Sequence, residues 1–314
     1  MDRSIVKFLF KQPVHFGDGR LYSSNYTFDA ATLFSALFIE ALRLGSSCEL
    51  LNAAKNGALL ISDAFPFIGD TFYLPKPMLP PGFFPAEGYE APDVFDSVAA
   101  KELKRMNYIP TRDFGDYLAG SLDPFLVLES FLLGSSTTRT NVNLTYVNKN
   151  EAEPYQVGSF SFYKDTGLYI ILQGEYDITP LLEQLQFSGI GGERSSGYGR
   201  FEYLVSDEDP IKGIEAIRTV ENDDRCHILL SSAAPTQEET TGELLMDSRY
   251  HLVRKGGFIQ SQTYAKTFQK KRDVYVFTPG SVFKKEFFGE VIDVDAAKGS
   301  HPVYRYARAM WLVV

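Results

Sequence analysis

The sequence predicts an α+β fold, and three features of the chain lead to that class. Apolar strand patterns and amphipathic helix patterns follow one another over the first 206 residues. A glycine-rich segment, 188–200, runs directly into one of the strand patterns. After residue 207 strand patterns dominate, and only one weak helix candidate occurs. With 314 residues, the chain can form one large domain or two ordinary ones around a filled core.

The first two elements are a buried strand and an amphipathic helix. Residues 5–10 are nearly all apolar and read as a short strand. Thr27 and Asp29 then offer side-chain oxygens that can cap the start of a helix, and Gly45 is the expected end. Between them the apolar residues have the three-to-four spacing of one helical face: Leu33, Phe34, Leu37, Phe38, Ala41 and Leu42.

The order of the next elements specifies the architecture of the first half. In chain order they are a strand at 58–62, an irregular excursion with six prolines between Pro75 and Pro92, a long hairpin at 141–161, a strand at 168–173, a helix that begins at Thr179 and Pro180, the glycine-rich loop and a strand at 201–205. This order is close to that of a ferredoxin-like βαββαβ unit, the RRM-like architecture, with insertions.

The second half reads as a more degenerate unit of the same kind. Its strand patterns lie at 226–232, 250–253, 274–278 and 304–314, and its helix candidate lies at 211–220. No internal sequence repeat is visible, so the duplication is inferred from the order of elements alone. We therefore expect two tandem ferredoxin-like domains, residues 1–206 and residues 207–314.

Composition limits the possible functions. The formal net charge of −9 argues against a general nucleic-acid coat protein, although it permits one local basic groove. Cys48 and Cys226 are lone cysteines that belong to no CxxC motif and to no cysteine–histidine pair with metal-ligand spacing, so neither disulfides nor zinc are predicted. The N-terminal residues do not resemble a signal peptide, and no apolar run is long enough for a membrane span. A cytoplasmic protein without a cofactor or a membrane partner is expected.

The glycine-rich loop is the most informative segment. Five of the eleven residues from 189 to 199 are glycines. Glycines expose main-chain N–H groups to an anion, arginines can donate charge-assisted bonds to phosphate, and a tyrosine ring can stack on a base. A connector with a multiple-glycine turn is the alternative. We predict that the loop binds RNA or another polyanion through Gly189, Gly191, Gly192, Arg194, Ser195, Ser196, Gly197, Tyr198 and Arg200.

Two familiar nucleotide-binding loops do not fit this segment. A P-loop requires a lysine and opens a helix after a strand, whereas this loop has no lysine and precedes a strand. A dinucleotide fingerprint that starts at Gly189 would need a glycine where Arg194 stands, and a helix afterwards.

Glycines of this kind, after a helix and before the last strand of a ferredoxin-like unit, resemble the glycine-rich loop of the RAMP superfamily of CRISPR proteins. Four further segments narrow the resemblance: LPKP at 74–77, KRMNYIP at 104–110, PYQVGSF at 154–160 and HPVYRY at 301–306. With them, the chain is similar over essentially its whole length to the family of the fourth subunit of the Csm complex, the type III-A effector.

The resemblance implies a non-catalytic RNA-binding subunit for antiviral defence. Members of that family hold the repeat-derived 5′ handle of the crRNA, dock the large palm-domain subunit and adjoin a backbone RAMP subunit, so that target RNA is met only indirectly. Carried onto this sequence, the loop 189–199 and its arginines would line the path of the handle. The hairpin 141–161 would form the thumb, with Arg139 at its base. Lys255, Gly256 and Gly257 would add a second glycine-containing turn near the same groove.

His15 supports an alternative reading as a metal-independent RAMP endoribonuclease. It follows the first predicted strand, and related RAMP nucleases use a histidine near this place as a general acid or base. Cleavage would need a second group, which the sequence does not identify, so contact between His15 and RNA is the preferred expectation. Cleavage of precursor repeat RNA that His15→Ala abolishes would favour the nuclease.

A third reading is a scaffold that binds only proteins, through the Pro-rich excursion with Phe83, Phe84 and Tyr89. Surface positions are the first expectation for the remaining charged residues. The acids Asp2, Asp18, Asp63 and Asp70 follow no metal-site spacing and are expected at the surface. Lys266, Lys270, Lys271 and Arg272 are expected on a solvated face, and contact with RNA or a partner is the alternative for this cluster.

Overall fold

The computed structural model describes residues 3–17, 19–83, 97–143, 153–215, 225–259, 261, 263–267 and 269–314. Several predicted features fall outside these residues: the excursion beyond residue 83 with Phe84 and Tyr89, the centre of the hairpin at 144–152, the end of the helix candidate 211–220, and the acids Asp2 and Asp18. The described part has a mixed α/β fold whose paired strands are antiparallel.

The elements of the fold have the following bounds. The strands are β1 (Arg3–Phe10), β2 (Leu60–Ile61), β3 (Phe65–Ile68), β4 (Thr71–Pro75), β5 (Tyr108–Pro110), β6 (Gly134–Asn143), β7 (Glu153–Phe162), β8 (Thr166–Gln173), β9 (Phe201–Ser206), β10 (His227–Leu229), β11 (Leu252–Lys255), β12 (Val274–Phe277), β13 (Val282–Phe283), β14 (Gly289–Asp293), β15 (Tyr304–Arg308) and β16 (Trp311–Val313). The helices are α1 (Ala30–Leu44), α2 (Ser47–Asn56), α3 (Ser97–Arg105), α4 (Phe114–Ala119), α5 (Pro124–Ser130), α6 (Thr179–Ser188), α7 (Lys212–Glu215) and α8 (Gly242–Leu245).

The largest sheet organises the first half of the chain. Its strand order is β5–β4–β3–β8–β1–β9, and β2 also pairs with β8. Phe8 of β1 lies opposite Leu168 of β8 on one side and opposite Tyr203 of β9 on the other. Four consecutive strands of this sheet, β3–β8–β1–β9, have the order of one βαββαβ unit in which α1 and α6 are the two helices, and β9 is the edge strand.

Helix α1 begins and ends where the sequence predicts. The Asp29 carboxylate accepts a hydrogen bond from the Thr32 N–H at 2.8 Å, which caps the first turn. Gly45 takes φ of 79° and closes the last turn. On its buried face Phe34 meets the Tyr306 ring of β15, with 5.5 Å between centroids. This contact fixes α1 against the second half of the chain.

The first half departs from the prediction in its inserted elements. The strand expected at 58–62 is reduced to the two residues of β2, and two unpredicted strands, β3 and β4, follow it. β3 was not predicted because it contains Pro66, and proline cannot donate a hydrogen bond to a neighbouring strand. In the structure Pro66 nevertheless lies opposite Leu168 of β8. The hairpin of β6 and β7 starts at Gly134, earlier than predicted, because its polar strand has no apolar alternation to mark it.

The second half forms three small antiparallel sheets. Their strand orders are β13–β10–β16, β11–β12 and β14–β15. The predicted strand at 304–314 is divided into β15 and β16. A second ferredoxin-like unit and a boundary at residue 207 stay predictions.

Both halves contribute to shared hydrophobic cores. Val291 and Tyr306 belong to the same buried cluster as Leu33 on α1. A second buried cluster joins Ile5 of β1 to Ile228 of β10 and Leu312 of β16. Burial of this apolar surface stabilises the first sheet and the C-terminal strands together.

Asp63 links the two halves through a buried hydrogen-bond network, which corrects the expectation that it lies at the surface. Only 7% of the residue is exposed. One oxygen accepts from the Ala30 N–H at 2.9 Å and the Ser232 N–H at 2.8 Å, and the other accepts from the Ser232 hydroxyl at 2.7 Å. Burial, and then the nearby charge of Asp29, raises the pKa of Asp63 from 3.8 to about 6.

The raised pKa of Asp63 predicts a pH-dependent stability. The protonated Asp63 side chain contributes to the free energy of unfolding. This contribution is fully present below the ordinary pKa of 3.8 and is lost as the pH rises through about 6. Asp63→Asn keeps an acceptor but cannot ionise, so it should not lose this contribution. Between about pH 4 and about pH 7, the free energy of unfolding of the wild type should therefore fall relative to that of Asp63→Asn by on the order of 2 kcal/mol. Urea unfolding of both proteins at the two pH values measures this difference.

Asp70→Asn is the matched control, since Asp70 is exposed. It should track the wild type at both pH values. Equal pH dependence in the wild type and in Asp63→Asn would contradict the assignment.

Among the described helices, none combines the length and the hydrophobicity that crossing a bilayer requires.

Candidate nucleic-acid interface

The glycine-rich loop packs closely against the segment that follows β1. The Gly192 N–H donates to the carbonyl oxygen of His15 at 2.8 Å, and the Gly199 N–H donates to that of Pro13 at 2.9 Å. A Cβ at position 199 would stand 2.0 Å from the carbonyl oxygen of Ile190, and φ there is 73°. One at position 192 would stand 2.7 Å from the His15 ring. These two glycines are therefore required by the packing of the loop.

This packing limits which main-chain amides can meet a ligand. The amides of residues 189, 190, 192 and 196–199 donate to carbonyl oxygens of the chain itself. Within the described residues, no such acceptor faces the amides of Gly191, Glu193, Arg194 and Ser195. The predicted array of free amides is thus reduced to a short run around the 3₁₀ turn Arg194–Ser196.

Two clefts meet at the loop. The larger has a volume of about 1030 Å³, and its lining includes His15, Arg43, Phe187, Ser195 and Arg200. The smaller, about 420 Å³, reaches from the first turns of α1 to the second half of the chain. Four residues line both: Gly17, Gly191, Gly192 and Arg194. The loop therefore lies in the wall of one continuous groove.

The groove is basic although the protein is acidic. Its lining carries two acids, Asp29 and Glu193, against six basic side chains: Arg43, Arg194, Arg200, Lys255, Lys271 and Arg305. Arg43 is held by Glu40 at 2.8 Å. Arg194 and Arg200 form no ion pair with any described residue, so their charges face the groove uncompensated.

Lys255 and Asp29 form the ion pair at the smaller cleft, with 2.8 Å between Nζ and Oδ2. Burial by itself would raise the pKa of Asp29, but the charge and hydrogen bond of Lys255 lower the pKa below its ordinary value. In the same way, Asp29 outweighs the effect of burial and raises the pKa of Lys255. Both groups therefore stay charged, and Lys255 is largely neutralised by its partner.

His15 is a buried member of the larger cleft and is 6% exposed. Its Nδ1 lies 2.7 Å from the carbonyl oxygen of Gly158 on β7, and its main-chain oxygen accepts from Gly192. His15 thereby ties the glycine-rich loop to the hairpin. The other titratable residues of that cleft are Arg43, Glu193, Arg194 and Arg200.

The structure brings together eight of the predicted RNA-binding residues in the groove lining: His15, Gly191, Gly192, Arg194, Ser195, Arg200, Lys255 and Gly256. The others do not line either cleft: Arg139, Gly189, Ser196, Gly197, Tyr198 and Gly257. Arg139 is exposed in the middle of β6, opposite Val157, rather than at the base of the hairpin. RNA contact at all these positions stays a prediction.

Sequence reasoning missed three residues of the groove, Arg43, Phe187 and Arg305, and placed a fourth, Lys271, on a solvated face as its first reading. Phe187 is 71% exposed and does not belong to the buried apolar stripe of α6. A large apolar residue beside that stripe, and not in it, was the sequence signal that could have identified Phe187 as a contact residue. Lys271 corrects the expectation of a solvated cluster, because it is half-buried whereas Lys266, Lys270 and Arg272 are exposed. No cluster of three or more potential metal ligands occurs in the described part of the chain.

Residues 222–314 match the family model described as the CRISPR Csm4 C-terminal domain. A protein of Mycobacterium tuberculosis (strain H37Rv) named CRISPR system Cms protein Csm4 is 33% identical over 317 residues, covering 100% of this chain and 98% of the relative. Its namesake in Streptococcus thermophilus is 32% identical, covering 96% of this chain and 95% of the relative.

Solved structures share the fold. A crystal structure of a Csm3-Csm4 subcomplex of the type III-A CRISPR-Cas interference complex contains a chain with a TM-score of 0.65 and 17% identity, covering 99% of each chain. A chain of a Csm1-Csm4 cassette in complex with AMPPNP has a TM-score of 0.60 and 19% identity, covering 99% of this chain and 97% of that one.

Proposed function

This chain belongs to the Csm4 family, and on that premise we propose that it is a non-catalytic subunit of a type III-A CRISPR effector that holds the 5′ handle of the crRNA in the basic groove. The proposal is carried by two arginines that form no ion pair with a described residue, in a protein of net charge −9: Arg194 lies where the two clefts meet, and Arg200 lines the larger cleft. A localised groove binds one RNA without the broad basic surface that would capture unrelated RNA.

The dimensions and donors of the groove suit single-stranded RNA. The larger cleft presents guanidinium groups for phosphates, the Ser195 hydroxyl and one exposed aromatic ring, Phe187. Single strands are bound by this combination of a positive groove and stacking platforms. His15 supports the loop from beneath, and its Nδ1 contact with Gly158 fits a structural role rather than proton transfer.

We further propose protein partners and a domain organisation. The solved relatives contain Csm4 together with Csm3 or with Csm1. By analogy, this chain would adjoin a backbone RAMP subunit and dock the large palm-domain subunit, and target RNA would be met through them. The hairpin of β6 and β7 would act as the thumb, and residues 1–206 and 207–314 would be the two domains.

Phe187 supplies a test of the proposal. If its ring stacks on a handle base, Phe187→Ala should weaken binding of handle RNA by about 5- to 100-fold, the equivalent of about 1–3 kcal/mol. Phe187→Trp should retain most of the affinity, because it preserves a stacking surface. Fluorescence anisotropy with a labelled RNA that carries the handle measures these affinities.

Phe288→Ala is the matched control, since Phe288 is 74% exposed and lines neither cleft. Its RNA affinity should equal that of the wild type. An abasic scan of the handle should reveal one position at which the wild type and Phe187→Ala bind equally. Unchanged RNA affinity in Phe187→Ala would count against handle binding in this cleft.

A further inference from the structure

The smaller cleft is built by both halves of the chain. Its walls include Asp29 and neighbouring residues of α1, the glycine-rich loop, and three basic residues of the second half. Those residues are Lys255, Lys271 and Arg305, which reach the cleft from β11, from the segment before β12 and from β15. The cleft volume of about 420 Å³ is of the size that small-molecule sites have.

Its charges are unevenly satisfied. The acidic residue that lines the smaller cleft is Asp29, and its carboxylate already forms an ion pair with Lys255 at 2.8 Å. Lys271 forms no ion pair with any described residue. Arg305 donates from Nη2 to the carbonyl oxygen of Gly256 at 2.9 Å, while its buried Nε has no hydrogen-bond partner among the described residues. Lys271 and Arg305 therefore have no ion-pair partner of their own among the described residues. The acids whose charges act on them, Asp29 and Asp273, already pair with Lys255 and Arg254.

Such an arrangement costs stability in the absence of a ligand. Removal of a cation from water is unfavourable unless an anion compensates for it, and burial together with the charge of Arg305 lowers the pKa of Lys271. A buried donor such as Arg305 Nε that lacks an acceptor adds to the cost. An anion in the cleft would relieve both.

We propose that the smaller cleft is a phosphate-binding subsite in which Lys271 and Arg305 hold one phosphate group of the bound RNA strand. The inference rests on the proposed function, because the strand would enter from the larger cleft past Gly191, Gly192 and Arg194, which line both. Tyr304, also in the lining, offers a ring beside this phosphate. The second half of the chain thus grips the RNA directly.

Lys271→Met tests the subsite, and Lys270→Met is its matched control. Methionine keeps an apolar stem and removes the charge. Lys270 is the preceding residue, is exposed, and lies with its Nζ 5.7 Å from the centroid of the Phe258 ring, outside the cleft. Binding of the labelled handle RNA to the full chain is measured at several salt concentrations, and Tm is measured without RNA.

The proposal expects two changes in Lys271→Met and neither in Lys270→Met. The slope of log affinity against log salt should become shallower by about 0.7, the loss of one phosphate contact on a single strand. Without RNA, Tm should rise, because an uncompensated cation has been removed. A residue with a purely structural role would not raise Tm when it is replaced.

Three results would overturn the subsite. One is a wild-type salt slope in Lys271→Met, and another is an equal loss of slope in Lys270→Met. The third is that inorganic phosphate raises the Tm of the wild type but not that of Lys271→Met, while the salt dependence of RNA binding is the same in both proteins. That result would indicate that the cleft binds a free anion and not a phosphate group of the RNA. If Arg194→Ala/Arg200→Ala loses RNA binding while Lys271→Met does not, the subsite fails and the proposed function stands. If neither variant changes RNA binding, the proposed function itself fails.

Discussion

Replacement of both Arg194 and Arg200 by alanine is expected to lower the affinity for handle RNA by about 100-fold or more. Neither guanidinium is paired with a described carboxylate, so both charges are available to phosphates. Hydrogen bonds to charged groups contribute about 1.5–3 kcal/mol each, and two of them account for at least about 3 kcal/mol. The salt slope should also fall by about 1.4, because two phosphate contacts are lost. Anisotropy titrations of the full chain measure both quantities.

Arg105→Ala/Arg112→Ala removes the same charge elsewhere and is the control. Both side chains are 67% exposed, and each is paired with a neighbouring acid, Glu102 and Asp113 respectively. The control should bind RNA nearly as well as the wild type. An equal loss in both double variants would indicate a diffuse effect of net charge and would contradict a specific groove.

Gly199→Ala is expected to destabilise the fold by about 3 kcal/mol or more and to abolish RNA binding. The added Cβ would stand 2.0 Å from a main-chain oxygen, and the backbone there has φ of 73°, which costs a residue with a side chain about 1–2 kcal/mol before any clash. Relief of the clash requires the loop to move away from Pro13, to which the Gly199 N–H is bonded. Urea unfolding measures the loss of stability.

Gly197→Ala separates backbone strain from steric clash within the same loop. Gly197 has φ of 88°, but no atom lies within 4 Å of the position of its Cβ. Its free energy of unfolding should fall by only about 1 kcal/mol, and RNA binding should persist. Similar stability losses for the two variants would show that the loop is not packed as described.

Local signals in the sequence were sufficient for the elements around the groove. The cap at Asp29, the stop at Gly45 and the apolar face between them define α1, because each acts within one or two helical turns. The strands β3 and β4 were not predictable in the same way. β3 pairs with β8, about a hundred residues away in the chain, and Pro66 argues locally against a strand. β4 pairs with β3 and with β5, so its place in the sheet depends on that of β3.

The candidate site shows the same division. Its glycines and arginines are evident from the sequence of the loop, whereas the amides that remain free depend on how the loop packs against Pro13 and His15. The environment of Lys271 was also not predictable, since Lys270 beside it is exposed and only the tertiary fold brings Lys271 to the cleft. Asp63 is buried for an equivalent reason, because its partner Ser232 comes from the other half of the chain.

Photo-crosslinking of a crRNA in the reconstituted effector, followed by identification of the crosslinked peptides, tests the central claim most directly. RNA held in the groove predicts crosslinks in residues 187–200 of this chain, with the crosslinked nucleotides in the 5′ handle. Crosslinks that miss this segment altogether, in a complex that retains its crRNA, would contradict it.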